Sequence, residues 1–335
     1  MNSSKKSKVL IIVVVLIVVM VLFGLGVVKR QNSHSLKVLI VGDSIGEGAG
    51  ASDPVFKWYK YLIPYMKEAY GVRLKITNVS MGGNTSYAGY ARIMQLDDEE
   101  DYNLAIVCYG ENDKPEDFSL YYESILRAIN LKYPSCKLIT ILESSQRDYT
   151  DKIRTIQSLS EHYDAYVADT IAGFQSSGKT YEELCDDGTH PNDEGQKVYY
   201  ETVRALMDVY YAEREQMAEH VVGAVNQEVV FLDNFQYYSV DDFRKNDEYT
   251  YELEADIPLG MLGIDYTSVK GTNRITIYAD GENICDKQIG WENDFTLRFI
   301  EIAANECEVH SAIQIVFSSK EQMEEFHGII FSRSP

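Results

Sequence analysis

Leu36-Lys37-Val38-Leu39-Ile40-Val41-Gly42-Asp43-Ser44 carries a nearly continuous apolar run straight into a glycine, an acid and a serine. A run apolar at consecutive positions suits a strand covered on both faces, as in parallel sheets. Similar runs occur at 74–79, 104–108, 137–142 and, shorter, 165–168. Segments of helical character lie between them at 55–70, 86–94, 120–131 and 149–163, and a long one follows from 193 to 217. Alternation of this kind predicts an α/β domain with a parallel sheet covered by helices, spanning 36–222. Sites in such sheets form beyond the carboxyl ends of the strands. Gly42-Asp43-Ser44 and Gly110-Glu111-Asn112-Asp113 each begin within two residues of a predicted strand end.

Working outward, the pattern changes near residue 223. Short strand-like runs at 229–232, 249–253, 274–279, 296–302, 312–317 and 328–331 alternate with turns such as Ala279-Asp280-Gly281-Glu282-Asn283. They predict an antiparallel β-sandwich over 223–335. Upstream, residues 9–28 are uncharged, the length a helix needs to cross a bilayer. Lys5, Lys6 and Lys8 precede the run; Lys29 and Arg30 follow it. It is too long for the apolar region of a cleaved signal peptide and lacks a small-residue cleavage site. The expectation is a single-pass transmembrane signal anchor at 9–28, with 1–8 in the cytoplasm and 29–35 as a tether. That start in the cytoplasm places residues 36–335 outside the cell membrane, although the nearly balanced flanking charges orient the helix only weakly and leave the opposite orientation as the alternative.

Lys and Arg total 31 against 52 Asp and Glu, a net charge of -21. Such a chain repels phosphate backbones, which argues against nucleic-acid binding. None of the five cysteines forms a CxxC pair or clusters with histidine, so no metal site is expected. Cys108 and Cys136 read as buried small apolar residues, and Cys185 as packing beside the Asp187 turn. Pairing of Cys285 with Cys307 stays open. The aromatics Phe235, Tyr237, Tyr238, Tyr249, Tyr251 and Trp291 are read as core, with stacking on sugar rings as the alternative.

A serine hydroxyl attacks a carbonyl only when an imidazole takes its proton, and a carboxylate must orient that imidazole. Of six histidines, only His190 has such a setting, in Asp187-Gly188-Thr189-His190-Pro191. Asp186 is an adjacent competitor, but the three-residue spacing favours Asp187. Donors for a developing oxyanion are available from the Ser44 backbone, from Gly83 within Asn78-Val79-Ser80-Met81-Gly82-Gly83-Asn84-Thr85, and from the Asn112 side chain.

Taken together and in order, these four segments resemble the SGNH/GDSL hydrolase family over about 36–217. The resemblance implies a three-layer α/β/α fold and ester hydrolysis without metal or cofactor. It implies Ser44 as nucleophile and first oxyanion donor, Gly83 and Asn112 as the other donors, His190 as base and Asp187 as its orienter. Asp43, Asn78, Gly110 and Asp113 would support those loops. Ser80 stands where many members have glycine, and Gly82 beside Gly83 leaves one donor ambiguous by a residue. The expected substrate is a small or glycan-borne ester, with acetyl on a carbohydrate favoured. The same triad would serve an O-acyltransferase acting on surface glycan. A non-catalytic glycan-binding protein on this scaffold is a further alternative, against which the intact residue set weighs.

Overall fold

The computed structural model describes residues 35–97, 100–292 and 296–333. The expected anchor at 9–28 lies outside the described residues. Among those described, no helix is long and apolar enough to cross a membrane.

Five parallel strands form the first sheet: β1 (Ser35–Gly42), β2 (Arg73–Asn78), β3 (Leu104–Cys108), β4 (Lys137–Leu142) and β5 (Tyr166–Asp169). Their order is β2-β1-β3-β4-β5. The chain leaves β1 toward one neighbour and later returns to its other side. The crevice between the ends of β1 and β3 is therefore a topological switch point, where α/β sheets place their ligands. The helices are α1 (Ser44–Glu47), α2 (Trp58–Tyr70), α3 (Ser86–Met94), α4 (Pro115–Lys132), α5 (Asp151–His162), α6 (Thr170–Ser176) and α7 (Asp193–Glu213).

Two cores cover the sheet. Val38 and Ile40 face one, with Trp58, Leu62, Met66, Tyr199 and Met207 of α2 and α7. Leu39 and Val41 face the other, with Tyr87, Tyr90, Ile125 and Ile129 of α3 and α4. Period-2 alternation along β1 thus serves two apolar layers, which explains why nearly every position is apolar.

Beyond α8 (Val229–Leu232) come β6 (Phe235–Ser239), β7 (Arg244–Lys245), β8 (Thr250–Glu254), β9 (Ile257–Thr267), β10 (Arg274–Ala279), β11 (Glu282–Gln288), β12 (Arg298–Val309), β13 (Ala312–Phe317), α9 (Lys320–Glu324) and β14 (Phe326–Arg333). They make two antiparallel sheets, β11-β10-β13-β8-β7 and β12-β9-β14-β6, around a third core. Residues 229–232, expected as a strand, form one helical turn instead. Val229 and Leu232 are its buried residues, and the turn rests on α4, so i, i+3 spacing prevailed over β-propensity.

The second domain does not hang from the first. Phe299, Leu262 and Phe331 point into the sandwich, while Ile300, Met261 and Ile330 are buried in the hydrolase-side core with α3 and α4. β9, which the sequence reading missed, is buried without a break from Gly260 to Tyr266 and apolar from Met261 to Ile264, because both of its faces are covered there. Its Gly263 is required by that contact: a Cβ there would collide with the Tyr87 hydroxyl.

Candidate active site

Ser44 opens α1 directly after β1. The preceding Asp43 is the helix N-cap, its carboxylate accepting from the Ile45 amide at 2.8 Å. The Asp43 amide donates to Cys108 O at 3.1 Å, and the Met81 amide donates to Gly42 O at 2.9 Å. The turn is therefore fixed by its neighbours on both sides.

His190 comes from the loop before α7, 146 residues away in sequence, and its Nε2 lies 2.9 Å from Ser44 Oγ. Its Nδ1 lies 2.6 Å from Asp187 Oδ2. Asp187 Oδ1 accepts from the amides of Thr189 at 2.9 Å and His190 at 2.7 Å. Desolvation alone would raise the Asp187 carboxyl. The His190 ring and these two amides outweigh it and hold the group at about 2. Asp186 is engaged elsewhere, accepting from Asn192 Nδ2 at 2.6 Å. Asn192 in turn caps α7 through the Glu194 and Gly195 amides. The buried Cys185 thiol is pushed up to about 11 by desolvation, as expected of a packing residue.

The loop residues assigned to support do support the site. Asn78 donates to Gly46 O at 3.1 Å and accepts from the Ser80 amide at 2.9 Å. Asp113 accepts from both the amide and the hydroxyl of Ser86, at 2.9 and 2.6 Å. Lys152 donates to the carbonyls of Gly110 and Asp113.

The loops that carry Gly83 and Asn112, the other two expected oxyanion donors, lie next to the Asp43-Ser44 turn. Asn112 Nδ2 lies 3.0 Å from Asn84 O and 3.4 Å from Asp43 Oδ2. Gly83 has φ +74, and Gly82 next to it lies against Ser44. The amides of Ser44 and Gly83 are engaged by no other group among the described residues. Nor, among those residues, does any group of His, Cys, Asp or Glu form a candidate metal cluster.

Beside Gly83 opens a cleft of about 390 Å³ shared by both domains. Trp291 is 50% exposed and stacks on Phe299 at 5.6 Å and 17°. Lys287 and Glu301 pair along the cleft at 2.6 Å. Of the C-terminal aromatics, Tyr251 packs among Phe243, Phe317 and Phe326, and Phe235 packs on Tyr90. The core reading fails for Trp291, which caps an open cleft at the site, and for Tyr249, which is 41% exposed. All five cysteines are free thiols, Cys285 and Cys307 included.

Sequence reasoning also missed Glu143, a fully buried carboxylic acid at the end of β4 that accepts from Cys108 Sγ. It missed Arg147 as well, which holds φ 60, lies over the Tyr181 ring and donates to Gly188 O in the His190 loop. A lone acid after an apolar strand is the only signal Glu143 offered.

Residues 40–198 match the model of the GDSL-like Lipase/Acylhydrolase family. The first domain belongs to that family. It is a carboxylic ester hydrolase domain. Over 171 residues the chain is 28% identical to an arylesterase of Vibrio mimicus, covering 48% of this chain and 83% of that protein. Both domains resemble a two-domain esterase active on acetylated mannans, with TM-score 0.73, 14% identity, and 92% of this chain and 95% of that one covered. The same esterase co-crystallised with mannopentaose gives TM-score 0.71 at 13% identity, over 92% and 94% of the two chains. At that identity the likeness establishes a shared two-domain fold.

Proposed function

We propose that this GDSL-like hydrolase is a serine esterase, held outside the cell membrane by residues 9–28, that removes acetyl or other short acyl groups from a carbohydrate. The observation that carries the chemistry is the continuous relay from Ser44 Oγ to His190 (2.9 Å) to Asp187 (2.6 Å). His190 takes the Ser44 proton as the oxygen attacks the ester carbonyl. The developing oxyanion meets the Ser44 and Gly83 amides and Asn112 Nδ2, each such donor contributing about 2.7–4 kcal/mol to the barrier reduction. His190 then gives its proton to the departing alcohol, and later activates the water that frees the acid. Asp187, anionic at every working pH, keeps the imidazole oriented throughout.

Two features support a sugar as the alcohol. The half-exposed Trp291 face offers an apolar plane beside Gly83, with Lys287 and Glu301 as polar partners for hydroxyls. The structural relative that spans both domains acts on acetylated mannans. The anchor reading agrees with the topology. β1 begins at Ser35, at the amino edge of the sheet, whereas Ser44 lies beyond its carboxyl edge. A chain tethered at residues 29–35 would therefore present its site away from the bilayer, toward polymer rather than lipid.

The test is hydrolysis of an aryl acetate and of acetylated mannan and xylan by the soluble chain from residue 35. Wild type should release acetate, and Ser44→Ala and His190→Ala should be inactive. Wild type, and not Ser44→Ala, should react with a fluorophosphonate probe. Full activity of Ser44→Ala would overturn the mechanism. Protease protection of the catalytic domain in intact cells would overturn the orientation.

A further inference from the structure

Asn84 immediately follows the Gly82-Gly83 turn and is only 2% exposed. Its side-chain amide makes the bonds that a neighbouring strand would make. Nδ2 donates to Arg298 O at 2.8 Å, and Oδ1 accepts from the Ile300 amide at 3.0 Å, two residues further along β12. The second Nδ2 proton goes to Gly82 O at 3.0 Å. The main-chain carbonyl of Asn84 accepts from Asn112 Nδ2, also at 3.0 Å.

Gly82 O and the Gly83 N–H belong to one planar trans peptide and point in opposite directions. Fixing the carbonyl therefore aims the N–H. Asn112 is fixed in the same way: one Nδ2 proton is held by Asn84 O, which leaves the other, only loosely matched by Asp43 Oδ2 at 3.4 Å, to face the site. Two of the three expected oxyanion donors are thus set by a single residue. That residue is in turn set by β12. Arg298 is clamped by two bonds, of 2.7 and 2.6 Å, to the fully buried Asp265 of β9. Ile300 is sealed in the shared core, and the Phe299 ring between them backs Gly83.

We propose that Asn84 is a positioning residue through which strand β12 of the second domain sets the oxyanion hole. The second domain is then part of the catalytic machinery rather than an appended binding module. This rests on the oxyanion reading above.

The experiment uses the full chain and an aryl acetate. Asn84→Ala removes the three side-chain bonds. It should lower kcat about 100-fold, the scale of an ångström-level misplacement, with KM within about threefold. Asn84→Asp guards against misfolding: it keeps the acceptor for Ile300 but turns a carboxylate oxygen toward two carbonyls. It should show the same loss of kcat with retained near-UV circular dichroism. A purely structural role would lower the melting temperature and leave kcat of the folded protein intact. Folded Asn84→Asp with kcat within twofold of wild type overturns the proposal, provided Ser44→Ala is inactive. An active Ser44→Ala would instead overturn the oxyanion reading itself.

Discussion

Replacing Gly83 by alanine tests the oxyanion assignment most sharply, because Gly82 beside it provides the control. Gly83 sits at φ +74, where an L-residue costs about 1–2 kcal/mol. Its new Cβ would lie 3.1 Å from Phe299 Cε1 and 3.6 Å from Leu297 Cδ1. The Phe299 ring has little room to yield, since Trp291 stacks on one side at 5.6 Å and Tyr266 packs at 5.9 Å. The turn must move instead, and its amide leaves the oxyanion position. Full loss of one donor is worth about 2.7–4 kcal/mol, or roughly 100- to 1000-fold in kcat. Gly82 lacks a positive φ, and its Cβ would make contacts of 3.4 Å to Glu47 Oε2 and 3.6 Å to Ser44 Cβ. Gly82→Ala should therefore stay within about threefold of wild type, the alanine adding only ordinary contacts. Initial rates on p-nitrophenyl acetate, measured well below the melting temperature of each variant, make the comparison. The reasoning fails if Gly82→Ala is as damaging as Gly83→Ala, or if Gly83→Ala keeps half of the activity.

Two further outcomes follow from the same geometry. Trp291→Ala should raise KM for an acetylated oligosaccharide about tenfold, equivalent to ~1.4 kcal/mol for one lost aromatic face. It should leave hydrolysis of p-nitrophenyl acetate unchanged, and equal effects on both substrates would contradict a sugar shelf. Glu143 supplies a pH test. Burial first, and then the charge of Asp43, push its carboxyl well above the ordinary range; the Cys108 thiol opposes them, and Glu111 and Asp113 add smaller upward contributions. The folded protein therefore holds a proton that the unfolded chain releases near pH 4, and stability falls as pH rises through that window. Glu143→Gln keeps the acceptor for Cys108 and removes the titration. Its melting temperature relative to wild type should rise progressively from pH 5 to 9; a flat difference would mean that Glu143 is not the buried acid responsible.

Much of the first domain was legible because its signals are local. Doubly covered strands announce themselves by unbroken apolar runs, and the observed 104–108 and 137–142 match those runs residue for residue. Asp187 and His190 lie three residues apart in one turn, so their pairing needs no long-range information. The second domain was less legible. β10 and β13 alternate and so announce themselves as strands, whereas β9 has two glycines and no alternation. Its periodicity was erased by burial on both sides.

The sequence by itself determined which residues could perform acyl chemistry and that they stand at strand ends. Hydrophobic period reports that a face is buried, but not what buries it. Only the tertiary structure decided that Asn84 meets Arg298 and Ile300, 214 and 216 positions away. It alone brought Trp291 to the edge of the Ser44 site and joined two domains through one core. Those contacts arise when strand β12 docks on α3, a long-range packing event that no local spacing along the chain encodes.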